Sequence, residues 1–157
     1  MTIEQELVKK LKLKNKIVTT AESCTGGLIA KRITDVAGSS DIFECGIVSY
    51  SNRIKSELLG VNPKTLEDYG AVSEQTAREM VHGILKLTNA DLAVAVTGIA
   101  GPDSDNTKKP VGLVYIAVSD GKNTIVKKQL NEFKDDIRTQ NRNVSADTAI
   151  KMLLEFI

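Results

Sequence analysis

The sequence has no tryptophan, a single histidine and only two cysteines. Three tyrosines and three phenylalanines complete its aromatic side chains. So few flat rings exclude a base-stacking platform for single-stranded nucleic acid. The two thiols, Cys24 and Cys45, lack C-x-x-C spacing and make neither a disulfide framework nor a zinc site. An excess of one charge is also missing, since 21 basic and 20 acidic side chains leave a formal +1. Without a strong field there is no bulk attraction to nucleic acid or to a membrane surface. No apolar run is long enough to span a bilayer. The opening segment MTIEQELVKKLKLKNK is amphipathic and has no apolar core of a signal peptide, so a cytoplasmic location is expected.

Several signatures of common chemistry are absent too. There is no G-x-G-x-x-G, no Walker A loop and no H-E-x-x-H. No Asp, Glu, His and Cys residues cluster at metal-ligand spacing, so no metal is expected. The lone His82 stands in a helical pattern beside Met80, Val81 and Ile84, with no catalytic context. It reads as a surface or boundary histidine, and a Ser-His-Asp triad would have to use it.

What is present is the composition of one ordinary globular domain, taken as residues 1–157. Hydrophobic residues make up 41% and charged residues 26% of the 157. Ile3, Leu7, Val8 and Leu11 recur at helical spacing, so the first dozen residues read as an amphipathic helix. KIVTTAE reads as a strand. Leu28, Ile29, Ile33 and Val36 give a second helix, which starts near Gly26 and stops at Gly38. ECGIVSYS is strand-like, and NRIKSELLG is helical, with Asn52 as N-cap and Gly60 as terminator. VNPKTLEDYGAV is a turn and a short helix. Ser73 opens a longer helix with an apolar stripe of Ala77, Val81, Ile84 and Leu85.

DLAVAVTGIAG is an apolar run with the look of a buried strand. PDSDNTKK is a polar loop, and VGLVYIAVS and TIVKKQL flank the hairpin signal DGKN. The last helix starts near Asp136 and buries Val144, Ala149, Met152, Leu153 and Phe156. Helices alternate with strands and a hairpin follows. This order predicts an α/β fold: a single three-layer α/β/α domain with a mixed, mostly parallel sheet.

In such sheets ligands sit at the carboxyl ends of strands. The junction TAESCTGG leaves a strand and enters a helix there. Ser23 is placed as a nucleophile, and Thr25 can cap the helix or touch substrate. Gly26 and Gly27 let a ligand approach the backbone, and the helix N–H groups can hold an anion or an oxyanion. Cys24 is a rival nucleophile, because helix N-termini lower thiol pKa. Adjacent side chains of extended backbone point opposite ways, so only one of Ser23 and Cys24 faces a cleft. The plain alternative is a capped turn with no chemistry.

A serine nucleophile needs a base. At the second junction, VSYSNRIKSELLG, Tyr50 ends the strand and Lys55 lies in the first helical turn. A positive environment there favours the neutral amine that a general base requires; the alternative is an ordinary solvated lysine. A third junction, AVTGIAGPD, places Thr97 and Gly98 at the same sheet edge. Arg138 and Arg142 stand one helical turn apart and share a face, where they could clamp a phosphate or simply be solvated.

The motifs TAESCTGG, GSSDIF, VSYSNRIKSELLGV, GAVSE, TGIAGPD and KPVG followed by VYIA stand here in the order found in the CinA C-terminal domain family, which the sequence resembles from about Val18 to the last helix. Stand-alone members include nicotinamide-nucleotide amidases, and the chain looks like that single-domain form. The resemblance implies hydrolysis of the carboxamide of nicotinamide mononucleotide to nicotinic acid mononucleotide and ammonia. It implies Ser23, Tyr50 and Lys55 as catalytic residues, with Ser40 and Thr97 around the substrate and Arg138 near its phosphate. No cofactor is expected, and the partners implied are the nucleotide substrate and a second copy in a homodimer. A catalytically silent nucleotide-binding or interaction module is the other reading. Many relatives carry GPDGG or GPGGG where this chain has GPDSDN, so a differently shaped loop is expected there.

Overall fold

Residues 1–157 are all described by the computed structural model. The first strand, β1 (Val18–Glu22), has all five residues buried. A strand buried on both faces must have neighbours on both edges and helices above and below. β1 pairs in parallel with β2 (Phe43–Val48) on one side and β3 (Leu92–Gly98) on the other. β4 (Leu113–Ser119) runs antiparallel to β3, and β5 (Thr124–Leu130) antiparallel to β4, so the order is β2-β1-β3-β4-β5. The sheet is mixed, as expected, with two parallel and two antiparallel pairings.

Parallel neighbours require crossovers. The first is α2 (Leu28–Thr34), a short helix followed by a single 3-10 turn, Ser39–Asp41. The second contains α3 (Asn52–Leu59), α4 (Pro63–Tyr69) and α5 (Glu74–Thr88). α1 (Ile3–Lys14) precedes the sheet and α6 (Ile137–Phe156) closes the chain. Alternation along β3 sorts the layers. Leu92, Val94 and Val96 join Leu7, Leu11, Ile150 and Leu153 in the larger core under α1, α2 and α6. Ala93 and Ala95 face the other way, toward Met80, Val81 and Ile84 of α5. Their small side chains let α5 lie close to the sheet. No helix is long and apolar enough to cross a membrane.

Three local expectations shift. α2 begins at Leu28 rather than near Gly26, because Gly26 and Gly27 both adopt positive φ, at 59° and 99°, and form a turn instead. The N-cap of α3 is Ser51, whose hydroxyl accepts from the Ile54 N–H at 3.2 Å, and not Asn52. In α6 the fully buried apolar positions are Ala146, Ala149, Ile150 and Leu153, while Val144, Met152 and Phe156 flank them half-buried. Where α3 ends against α5 the approach is close: a Cβ on Gly83 would stand 1.8 Å from the Leu59 carbonyl oxygen.

Candidate active site

The parallel arrangement of β1, β2 and β3 puts their carboxyl ends on one edge of the sheet. Ser23 follows β1 directly and stays in line because its N–H donates to Val96 O on β3 at 3.0 Å. Ser49 and Tyr50 follow β2, and Thr97 and Gly98 end β3. Ser23, Tyr50, Thr97 and Gly98, together with Lys55, Val72 and Asp105, line a cleft of about 160 Å³. Three larger hollows, of about 410, 520 and 210 Å³, lie against Lys109, Arg32 and Lys16 respectively. None brings a nucleophile against a base.

Lys55 is not a solvated lysine. It lies in the first turn of α3, points inward and is 1% exposed. Its Nζ stands 3.0 Å from Ser23 Oγ, 3.0 Å from the Ser49 carbonyl oxygen and 3.4 Å from that of Tyr50. No carboxylate pairs with it. Burial therefore pushes the amine down to about 8, against a small opposing pull from the neighbouring Cys24 thiol. A neutral amine has two N–H donors and one lone pair. The two carbonyls can take the donors, which leaves the lone pair for the Ser23 hydroxyl.

Both adjacent side chains border the cleft, and their environments separate them. Cys24 is 6% exposed and also packs in the larger core, where burial pushes its thiol up to about 12. Ser23 is the one whose hydroxyl meets the Lys55 amine. Tyr50 is brought to the same edge, but in a different manner from that expected. Its carbonyl faces Lys55, while its hydroxyl, on a ring 57% exposed, accepts from Arg138 Nη2 at 2.7 Å. The phenol thus contacts neither Ser23 nor Lys55.

Thr97 is buried, and its hydroxyl donates to Ala71 O at 2.7 Å, tying β3 to the segment before α5. Gly98 is required by the sheet itself: a Cβ there would meet Val114 Cγ2 at 2.8 Å and Leu113 O at 2.9 Å. Arg138 and Arg142 do share a face. Each donates to a loop carbonyl, Arg138 Nη1 to Gly101 O at 2.8 Å and Arg142 Nη2 to Thr25 O at 3.1 Å. Ser40 is not brought to the cleft. It sits in the 3-10 turn before β2, at the amino ends of the strands. Six residues of β2, roughly 3.3 Å each, separate that edge from Tyr50. His82 lies exposed on α5, against the Thr124 hydroxyl at 2.7 Å, as a surface histidine.

Two residues were not singled out by the sequence reading. Glu22, 1% exposed, accepts from the N–H groups of Ile29 at 2.8 Å and Ala30 at 3.1 Å. It therefore fills the N-terminus of α2 that was expected to receive an anion. The unengaged donors lie earlier: the N–H groups of Cys24, Thr25 and Gly27 meet no acceptor in the chain. Asn141, buried in α6, donates Nδ2 to Ala100 O at 2.7 Å. A carboxylate closing an apolar strand just before a helix was the available signal for Glu22. Asn141 offered none, because a polar residue on a helix face is ordinarily solvated.

The sequence matches the CinA C-terminal domain across residues 1–157. The chain belongs to that family. Among its relatives is the nicotinamide-nucleotide amidohydrolase PncC of Enterobacter agglomerans, 51% identical over 97% of this chain and 92% of that protein. A putative competence-damage inducible protein of Thermoanaerobacter pseudethanolicus is 49% identical over 96% of this chain, which spans only 37% of that longer protein. The competence/damage inducible protein CihA of Agrobacterium tumefaciens superposes with a TM-score of 0.88 at 42% identity, over 99% of this chain and 96% of that one. A CinA superfamily protein of Escherichia coli gives a TM-score of 0.94 at 27% identity, over 99% and 88%. The three-layer CinA fold and its mixed sheet are thus those of this chain.

Proposed function

We propose that this chain hydrolyses the carboxamide of nicotinamide mononucleotide to nicotinic acid mononucleotide and ammonia, with Ser23 as nucleophile and Lys55 as base. The observation that carries the reading is the 3.0 Å contact between Ser23 Oγ and a buried, unpaired Lys55 amine lowered to about 8. The relative named as an amidohydrolase, at 51% identity, supplies the substrate.

The reaction runs as acyl transfer. Neutral Lys55 takes the Ser23 proton while Oγ attacks the carboxamide carbon. The oxyanion is held by the unengaged N–H groups of Cys24 and Thr25, each such donor typically contributing about 3 kcal/mol. Lys55 then returns the proton to the departing nitrogen, and ammonia leaves. Water, deprotonated by the same amine, attacks the ester carbon, and Lys55 returns that proton to Ser23 Oγ as the C–O bond breaks and the acid product leaves. Every proton passes through Lys55, so these steps use no metal or organic cofactor.

Tyr50 acts as a positioning residue, its carbonyl fixing the amine, and the phenol with Arg138 marks the mouth where the nucleotide phosphate enters. Thr25, Gly26, Gly27, Thr97 and Gly98 shape the walls around the carboxamide. A homodimer in the cytoplasm completes the reading, with the free nucleotide as its only small-molecule partner. Ammonia release from the mononucleotide by wild type and Ser23→Ala tests it. Turnover by the wild type alone, with ligand binding kept by the variant, is expected. A wild type that binds the nucleotide and releases nothing is instead a silent binding module.

A further inference from the structure

Two charged side chains line the Ser23 cleft, one from each side. Lys55 lies sealed at its floor, and Asp105 belongs to the loop between β3 and β4. That loop is fixed from within and from without. Asp105 Oδ1 accepts from the Thr107 N–H at 3.0 Å and from the Thr107 hydroxyl. Lys109 Nζ donates to the carbonyl oxygens of Tyr69 and Val72, and Val72 is itself part of the cleft wall. No cation in the chain pairs with Asp105, and its Oδ2 has no partner. The cleft thus holds one oriented carboxylate with no cation paired to it.

We propose that Asp105 is a specificity residue for ring charge, favouring a carboxamide carried on a cationic, N-substituted aromatic ring over a neutral carboxamide of the same shape. The inference rests on the amidase reading for where the carboxamide lies. With its carbonyl carbon against Ser23 Oγ, a flat ring must extend outward across the cleft, toward the loop. A positive ring then meets the Asp105 carboxylate at the open side of the cleft, and opposite charges attract. A neutral ring gains no such attraction and still strips water from the carboxylate.

Calorimetric binding of 1-methylnicotinamide, a cation, and nicotinamide, its neutral counterpart, tests the proposal on wild type and Asp105→Asn. The wild type should bind the cation about tenfold more tightly at low salt. The ratio should fall to within about twofold of unity in the variant, and should shrink with added salt because Asp105 is exposed. An unchanged ratio in Asp105→Asn, no preference in the wild type, or no binding of either ring overturns the proposal. Ammonia release measured on the same preparations separates it from the amidase reading. A protein that prefers the cation through Asp105 yet releases no ammonia keeps this inference and loses that one.

Discussion

At Lys55 a single side chain couples stability to chemistry. Its amine titrates near 8 instead of the ordinary 10.5 because burial disfavours its charged form. The rate of ammonia release should therefore climb about tenfold per pH unit below 8 and level off above it, as kcat/KM follows the neutral amine. A profile flat between pH 6 and 9 would remove Lys55 as the base. The same shift acts on folding. Between pH 8 and 10.5 the unfolded chain holds more protons than the folded one, so stability rises with pH across that window. Below 8 the buried cation costs about 3 kcal/mol. Lys55→Met should accordingly be inactive yet more stable at pH 7, by about 1–3 kcal/mol in denaturant melts, with the gain shrinking toward pH 10. Cys24 supplies the contrast. Its raised thiol should resist alkylation at pH 8, and Cys24→Ala should keep turnover at a modest loss of stability.

On the scale of single elements, the short α2 depends on a side chain from another element. Glu22 replaces the missing cap residue, since Gly27 precedes the helix and offers no side-chain oxygen. Glu22→Ala should lower stability by about 3 kcal/mol, a buried charge-assisted pair of bonds being lost. It should also reduce kcat, because the turn carrying Ser23 lies between Glu22 and the helix it caps. Unchanged kcat in a folded Glu22→Ala protein would detach the cap from catalysis.

That Ser23, Lys55, Thr97 and Gly98 meet at one edge of the sheet was legible before any coordinates. Ser23 follows β1, Thr97 and Gly98 close β3 and Lys55 lies in the helix after β2, and strand ends share an edge when strands run parallel. The role of the Tyr50 hydroxyl was not legible, because a residue number fixes a backbone position and not where a phenol turns. Nor was the occupied start of α2, which depends on a side chain reaching forward seven and eight residues from a strand. Ser40 shows the limit of motif order: neighbours in a list of motifs can lie on opposite edges of a sheet.

For the molecule as a whole, the alternation of apolar pattern along the chain was enough for the layers, since period and burial follow the same physics. The strand order was less accessible, because β3 inserts beside β1 from across the α3–α5 crossover. That crossover also fixes how α3 is held. A methyl group on Gly83 would collide with the Leu59 backbone, so Gly83→Ala should push α3 off α5. The expected outcome is a Tm several degrees lower together with reduced kcat at unchanged protein fold, read by circular dichroism and ammonia assay. Loss of stability with full kcat per folded molecule would show that Lys55 tolerates movement of its helix.

Ser23 and Lys55 lie 32 residues apart in sequence, and their contact needs both a strand and a crossover helix in place. A newly synthesised or denatured chain has the same lysine in water, fully protonated and idle. Recovery of hydrolysis after dilution from denaturant is therefore a clock for the last docking event of the fold, and should lag behind the return of helical signal.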